Sequence, residues 1–131
     1  MVCGSVGYGG ISDIRGLYSF LSIKGFDVLN HIMQEGMDYS DIRDFRYRKE
    51  LSNKIIEHDL KYVKQADVIV VIAKNPSYGT AIEVFIAKNS GKRVILLAKE
   101  PVPTPWPVNF SDYIATTEDE LVKILTELEK K

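Results

Sequence analysis

Cysteine is almost missing from this chain of 131 residues, which has one, Cys3. No intramolecular disulfide can form, so a disulfide-stapled secreted scaffold is excluded and a reducing compartment is expected. An excess of one charge is missing too. Seventeen basic residues stand against eighteen acidic ones, a formal net charge of −1, and phosphate-driven binding of nucleic acid is not expected. No apolar run approaches the roughly 20 residues a membrane helix needs. No basic segment followed by an apolar one opens the chain, so no signal peptide is read. Only two histidines occur, and no His/Cys/Asp spacing suggests a metal site. These absences lead to the expectation of a soluble cytoplasmic protein with neither membrane nor nucleic acid as partner.

What is present has ordinary globular balance, 45% hydrophobic and 27% charged. The length suits a single domain over 1–131 with a sizeable core. "MVCG" (1–4) reads as a strand running into a Gly-rich turn, 4–10. Ile11, Ile14, Leu17, Tyr18 and Leu21 keep a helical period, closed by Gly25. "FDVLNHI" (26–32) alternates like a strand, and 33–41 reads as loop. Phe45, Leu51, Ile55, Ile56, Leu60 and Val63 mark a helix over 41–65, with the basic cluster 43–49 as its solvated face. "DVIVVIA" (67–73) is a β-branched run of the kind buried on both sheet faces. A helix over 79–89 ends at Gly91, and a second buried strand follows at 93–98. Four of the five prolines lie in 99–110, which is expected to be irregular. A short strand at 112–117 precedes a helix over 118–130, opened by a Thr117/Glu120 capping box. Alternating strands and helices predict a doubly wound, Rossmann- or flavodoxin-like α/β fold: five parallel strands with helices on both faces.

In open α/β sheets, ligands bind at the carboxyl ends of the strands. "NPSYG" (75–79) holds that position after strand 67–73, and Glu83 follows one turn into an otherwise apolar helix, "AIEVFIA" (81–87). A carboxylate in a partly apolar cleft is poorly solvated, which raises its pKa or sharpens it as a nucleophile. The same pattern also fits an exposed acid favoured by the helix dipole. Ser77 suits a helix cap or a phosphate contact, and Gly79 permits close approach of a ligand. His31 falls on the same expected edge. His58 is read as a surface residue, and Trp106 as packed over the site, across a dimer contact, or in the core.

The segment "ADVIVVIAKNPSYGTAIEVFIAKNSGKRVILL" (66–97) resembles the nucleoside 2-deoxyribosyltransferase superfamily. "CGS" with "GG" (3–5, 9–10), "IIEHDLKYVKQADVIV" (55–70) and "NPSYG" are similar to its 2′-deoxynucleoside 5′-phosphate N-hydrolase branch. The likeness covers roughly residues 1–98. It implies that Glu83 is the nucleophile and Asp59 the second acid. It implies that Ser5 and Ser77, with the backbone amides of the Gly4–Gly10 loop that carries Tyr8, Gly9 and Gly10, hold the 5′-phosphate; Gly79 and His31 remain substrate contacts read from position, His31 toward the base. It also implies a homodimer and a reaction without a cofactor. Rival readings are a deoxyribosyltransferase using the same Glu83, and a nucleotide-binding module without chemistry. The branch has a tyrosine where Met1 stands and an arginine where "VGY" (6–8) has none. Tyr8 and Arg15 are the candidates to replace them. So few residues before Gly4 leave two readings: a strand continuing upstream of Met1, or a stunted central one.

Overall fold

The computed structural model describes residues 1–7 and 9–131. In chain order the elements are β1 (Val2–Cys3), α1 (Ile11–Ile23), α2 (Lys49–Gln65), β2 (Val68–Ile72), α3 (Tyr78–Asn89), β3 (Arg93–Leu97), α4 (Trp106–Asn109), β4 (Tyr113–Ala115) and α5 (Glu118–Glu129). The four strands form one parallel sheet in the order β1-β2-β3-β4. Cys3 lies opposite Val71, and Val71 opposite Leu96.

Period-two alternation divides the core. Val2, Val70, Ile95 and Leu97 point to one face, where they meet Ile14, Leu17 and Leu21 of α1 and Leu121 and Leu125 of α5. Cys3, Ile69, Val71, Val94 and Leu96 point to the other, against Val63 of α2 and Val84 and Ala87 of α3. The expected α/β architecture with helices on both faces is therefore present.

The fifth strand is not formed. Residues 26–30 are irregular, and 31–36 form turns joined by a bend at 33–34. The alternation read from the sequence is nonetheless real: Phe26, Val28 and Ile32 pack on the α1 side, Leu29 on the α2 side. The segment thus carries the chain from one face to the other with a strand's side-chain pattern and without the ladder. β1 is only two residues long, which leaves little ladder for a neighbour. As a result β1 sits at the end of the described sheet, not in its middle as the resemblance implied.

The helix expected from 41 begins at Lys49. Asp44 Oδ1 accepts from Arg46 N at 3.0 Å, and Asp38 Oδ1 from Ser40 N at 3.0 Å. These side-chain turns compete with helical hydrogen bonding. The basic cluster 43–49 is therefore mostly exposed irregular chain with a turn at 46–47, not a helix face. The proline-rich segment holds one short helix, α4, which sequence analysis did not foresee. The last helix is capped as expected, with Thr117 Oγ1 accepting from Glu120 N at 3.1 Å. The Glu120 carboxylate reaches back to Thr116 N at 2.8 Å, one residue earlier than in the standard box. Gly91, at φ +78°, ends α3, and the Lys92 amide then bonds the Ala87 carbonyl at 3.0 Å.

The turn after β1 is tight. A Cβ on Gly10 would stand 2.1 Å from the Ser5 carbonyl oxygen, whereas one on Gly16 in α1 meets nothing within 4 Å. Gly10→Ala is expected to destabilise the fold by about 1–3 kcal/mol through overpacking. Gly16→Ala is expected to stabilise it by up to about 1 kcal/mol through helix propensity. Urea denaturation of the two variants should show midpoints moving in opposite directions.

Candidate active site

α3 wears its amphipathicity inside out. Its buried residues are Glu83, Val84 and Ala87. Glu83 is 9% exposed, while Ile82 and Phe85 beside it are 54% and 51% exposed. The helix is oriented by its ends. Ser77 caps the first turn by accepting from Thr80 N at 3.3 Å, and Val84 and Ala87 anchor the helix in the core of the α2 face. With those two positions inward, the 100° spacing per residue carries Glu83 toward α2.

α2 brings Asp59 to meet it. Asp59 is half-buried, and its neighbour His58 places Nε2 2.9 Å from the His31 carbonyl oxygen. That contact ties the 26–32 segment to α2, so His58 is a half-buried structural partner and not the surface residue expected. His31 itself is 4% exposed. One donor atom each from His31, Asp59 and Glu83 lie within 4.8 Å of one another.

These groups line a cavity of about 240 Å³ at the carboxyl ends of β1 and β2. Among the described residues, four buried side-chain oxygens have no hydrogen-bond partner: Ser5 Oγ, Asp59 Oδ1, Thr80 Oγ1 and Glu83 Oε2. Three of the four belong to residues lining this cavity. A larger groove of about 590 Å³ lies on the opposite face, between α1 and α5. Four of its lining charges are paired there, Lys74 with Asp13 at 3.1 Å and Lys99 with Glu118, and none of its lining residues carries a buried oxygen without a hydrogen-bond partner among the described residues. Buried polar groups are almost always satisfied. The concentration of unsatisfied ones, not volume, makes the smaller cavity the functional candidate.

Burial drives the electrostatics. It raises the Glu83 pKa to about 8, and the nearby Asp59 charge raises it further in the same direction. Desolvation raises Asp59 to about 7. Burial lowers His31 to about 4, so its imidazole is neutral at pH 7. Tyr39 rises to about 12, through burial first and then through Asp59 and Glu83. The cavity therefore holds two acids that share protons near neutrality, a neutral imidazole and a protonated phenol.

Six of the residues picked from sequence line the cavity: Gly4, His31, Asp59, Ser77, Gly79 and Glu83. Ser5 and Gly10 instead border a gap of about 10 Å³ with Asp13, Lys74 and Asn75, next to the cavity at Gly4. Gly9 lines neither, and Tyr8 lies outside the described residues. Arg15 is bound in an ion pair with Asp38 on the protein surface. Trp106 is 70% exposed, stacked on Phe110, and does not line the cavity. Sequence reasoning missed Tyr39, Phe45, Ser52 and Thr80 as lining residues. Ser52, Ile55 and Asp59 share a helical face, a signal that was available. Tyr39 and Phe45 come from turns, packed edge to face at 5.7 Å, where no periodicity marks them.

A carboxyl whose pKa is raised on folding binds its proton more tightly in the folded state. Its cost is absent below the unfolded pKa of 4.5, grows as pH rises, and is complete above the folded value of about 8. Glu83→Gln is therefore expected to match the parent in stability near pH 4.5. At pH 8 it should exceed the parent by roughly 2–4 kcal/mol. Urea denaturation at the two pH values measures the difference.

Comparison with known protein families, with curated proteins and with solved structures found no match for this chain. Function is accordingly argued from the site.

Proposed function

We propose that this protein is an N-glycosidase that hydrolyses 2′-deoxynucleoside 5′-monophosphates to free base and 2-deoxyribose 5-phosphate. The observation that carries this reading is the buried Glu83 carboxyl within 4.8 Å of the Asp59 carboxyl, each with one oxygen, Oε2 and Oδ1, that has no hydrogen-bond partner among the described residues. Two carboxyls this close favour a double displacement. A pair that holds a water on the far side of the sugar stands about 6.5–9.5 Å apart.

Glu83, ionised, attacks C1′ of the deoxyribose. The C1′–N bond breaks, its electron pair goes to the base nitrogen, and Asp59 delivers a proton there. The glycosyl ester on Glu83 then meets water. Asp59, now a carboxylate, takes the water's proton while the oxygen bonds C1′ and Glu83 leaves. The apolar wall of Val6, Tyr39, Phe45, Ile55 and Ile56 suits the base. The first turn of α3, with Ser77 and Gly79 on the cavity, suits the 5′-phosphate, because its free N–H groups and dipole favour an anion.

A second copy completes the reading. Tyr78, Ile82 and Phe85 run along the outer side of α3, and Phe110 links Phe85 to the exposed Trp106. Ile82 also lines the cavity, so a partner covering this apolar strip would close its mouth. Light scattering is expected to give twice the chain mass, and Phe85→Glu to give the monomer.

Chromatography of each of the four deoxynucleoside monophosphates after incubation is expected to show free base. Glu83→Ala should lower the rate on the order of 10³-fold or more. No base from any of the four would overturn the proposal. The active form is the singly protonated pair with its proton on Asp59, the minor arrangement of that pair because Glu83 has the higher pKa. The rate against pH should therefore be bell-shaped, rising through about 7 as the first proton leaves and falling above about 8 as the second does.

A further inference from the structure

We propose that His31, Asp59 and Glu83 form a binding site for a divalent transition cation of the zinc, cobalt or manganese class, and that the bound cation blocks the glycosidase. The binding rests on geometry alone; only the blocking rests on the proposed function.

The three donors come from three separate parts of the chain and converge within 4.8 Å. Zinc-type ions hold imidazole nitrogen and carboxylate oxygen at about 2.0–2.2 Å, with donors a little over 3 Å apart. Binding would draw the donors together by up to about 1.5 Å. The unpartnered oxygens give the second, independent sign. Glu83 is nine-tenths buried with Oε2 free among the described residues, and Asp59 Oδ1 is free beside it. One carboxylate oxygen of Glu83 lies within 4.8 Å of a His31 ring nitrogen, and among the described residues Oε2 has no hydrogen-bond partner.

The donor set selects the ion. One imidazole and two carboxylates suit borderline cations, whereas magnesium and calcium prefer oxygen throughout. Three protein donors leave at least one position for water. A cation here draws on the Glu83 lone pair that would attack C1′ and occupies the space that C1′ needs. Substrate and cation then exclude each other.

Cobalt(II) is the probe, added to chelator-treated protein and followed by visible absorption and calorimetry. One ion per chain is expected. Its Kd should rise at least about 10-fold in each of Glu83→Gln, Asp59→Asn and His31→Ala, the loss that even an outer-sphere partner causes. Asp13→Asn, outside the cavity, should leave it unchanged. No binding up to millimolar cobalt overturns the site, as does binding that the three cavity variants leave unaltered. In the base-release assay cobalt should raise KM and leave kcat unchanged. Cobalt that binds without slowing release overturns the blocking. Cobalt that binds a protein with no base release keeps the site and removes the glycosidase reading.

Discussion

A carboxyl taken out of water without a partner is the feature to which the rest of this structure is fitted. Leaving a polar group buried and unbonded costs on the order of 1–3 kcal/mol, and more for a charge. Glu83 meets that condition at the centre of the α2–α3 face. The fold tolerates it by letting Glu83 keep its proton, which the raised pKa expresses. In the proposed function the same circumstance would make it reactive once ionised, because among the described residues no donor bonds its Oε2. Stability and the proposed chemistry are thus opposed at one residue.

The surrounding elements hold that residue in place. The apolar side of α3 that would ordinarily face inward is divided. Val84 and Ala87 go to the core, and Ile82 and Phe85 go outward. Ser77 and Gly91 fix the two ends of the helix. From the other side, His58 ties the 26–32 segment to α2 and so sets His31 next to Asp59. The Arg15–Asp38 ion pair holds the turn that carries Tyr39 to the cavity wall. As an exposed pair it adds little stability, and its contribution is to place that turn.

The layered α/β plan was legible because the buried runs 68–72 and 93–97 can be strands and little else. Glu83, Asp59 and Ser77 were legible as candidates by their position after a strand and by resemblance, and the structure brings them to one cavity. The 26–32 segment shows where pattern falls short. Its side chains alternate as a strand's do, but pairing depends on the length of ladder its neighbour offers, and β1 has two residues. The start of α2 was misread because hydrophobic period carries no trace of the Asp44 turn. Tyr39 and Phe45 were invisible because residues in irregular turns reach a site only through the fold. The convergence of His31 with the two acids was likewise hidden, since positions 31, 59 and 83 have no common spacing.

The most direct test of the central claim, that Glu83 acts as a nucleophile, is mass spectrometry of the protein after incubation with a 2′-fluorinated deoxynucleotide. Fluorine beside C1′ slows both displacements by destabilising the oxocarbenium-like transition state, and the second more visibly when the leaving base is good. A sugar-phosphate adduct on the peptide containing Glu83, absent in Glu83→Gln, is the predicted result. Base release without an adduct, or an adduct on another residue, would contradict the account.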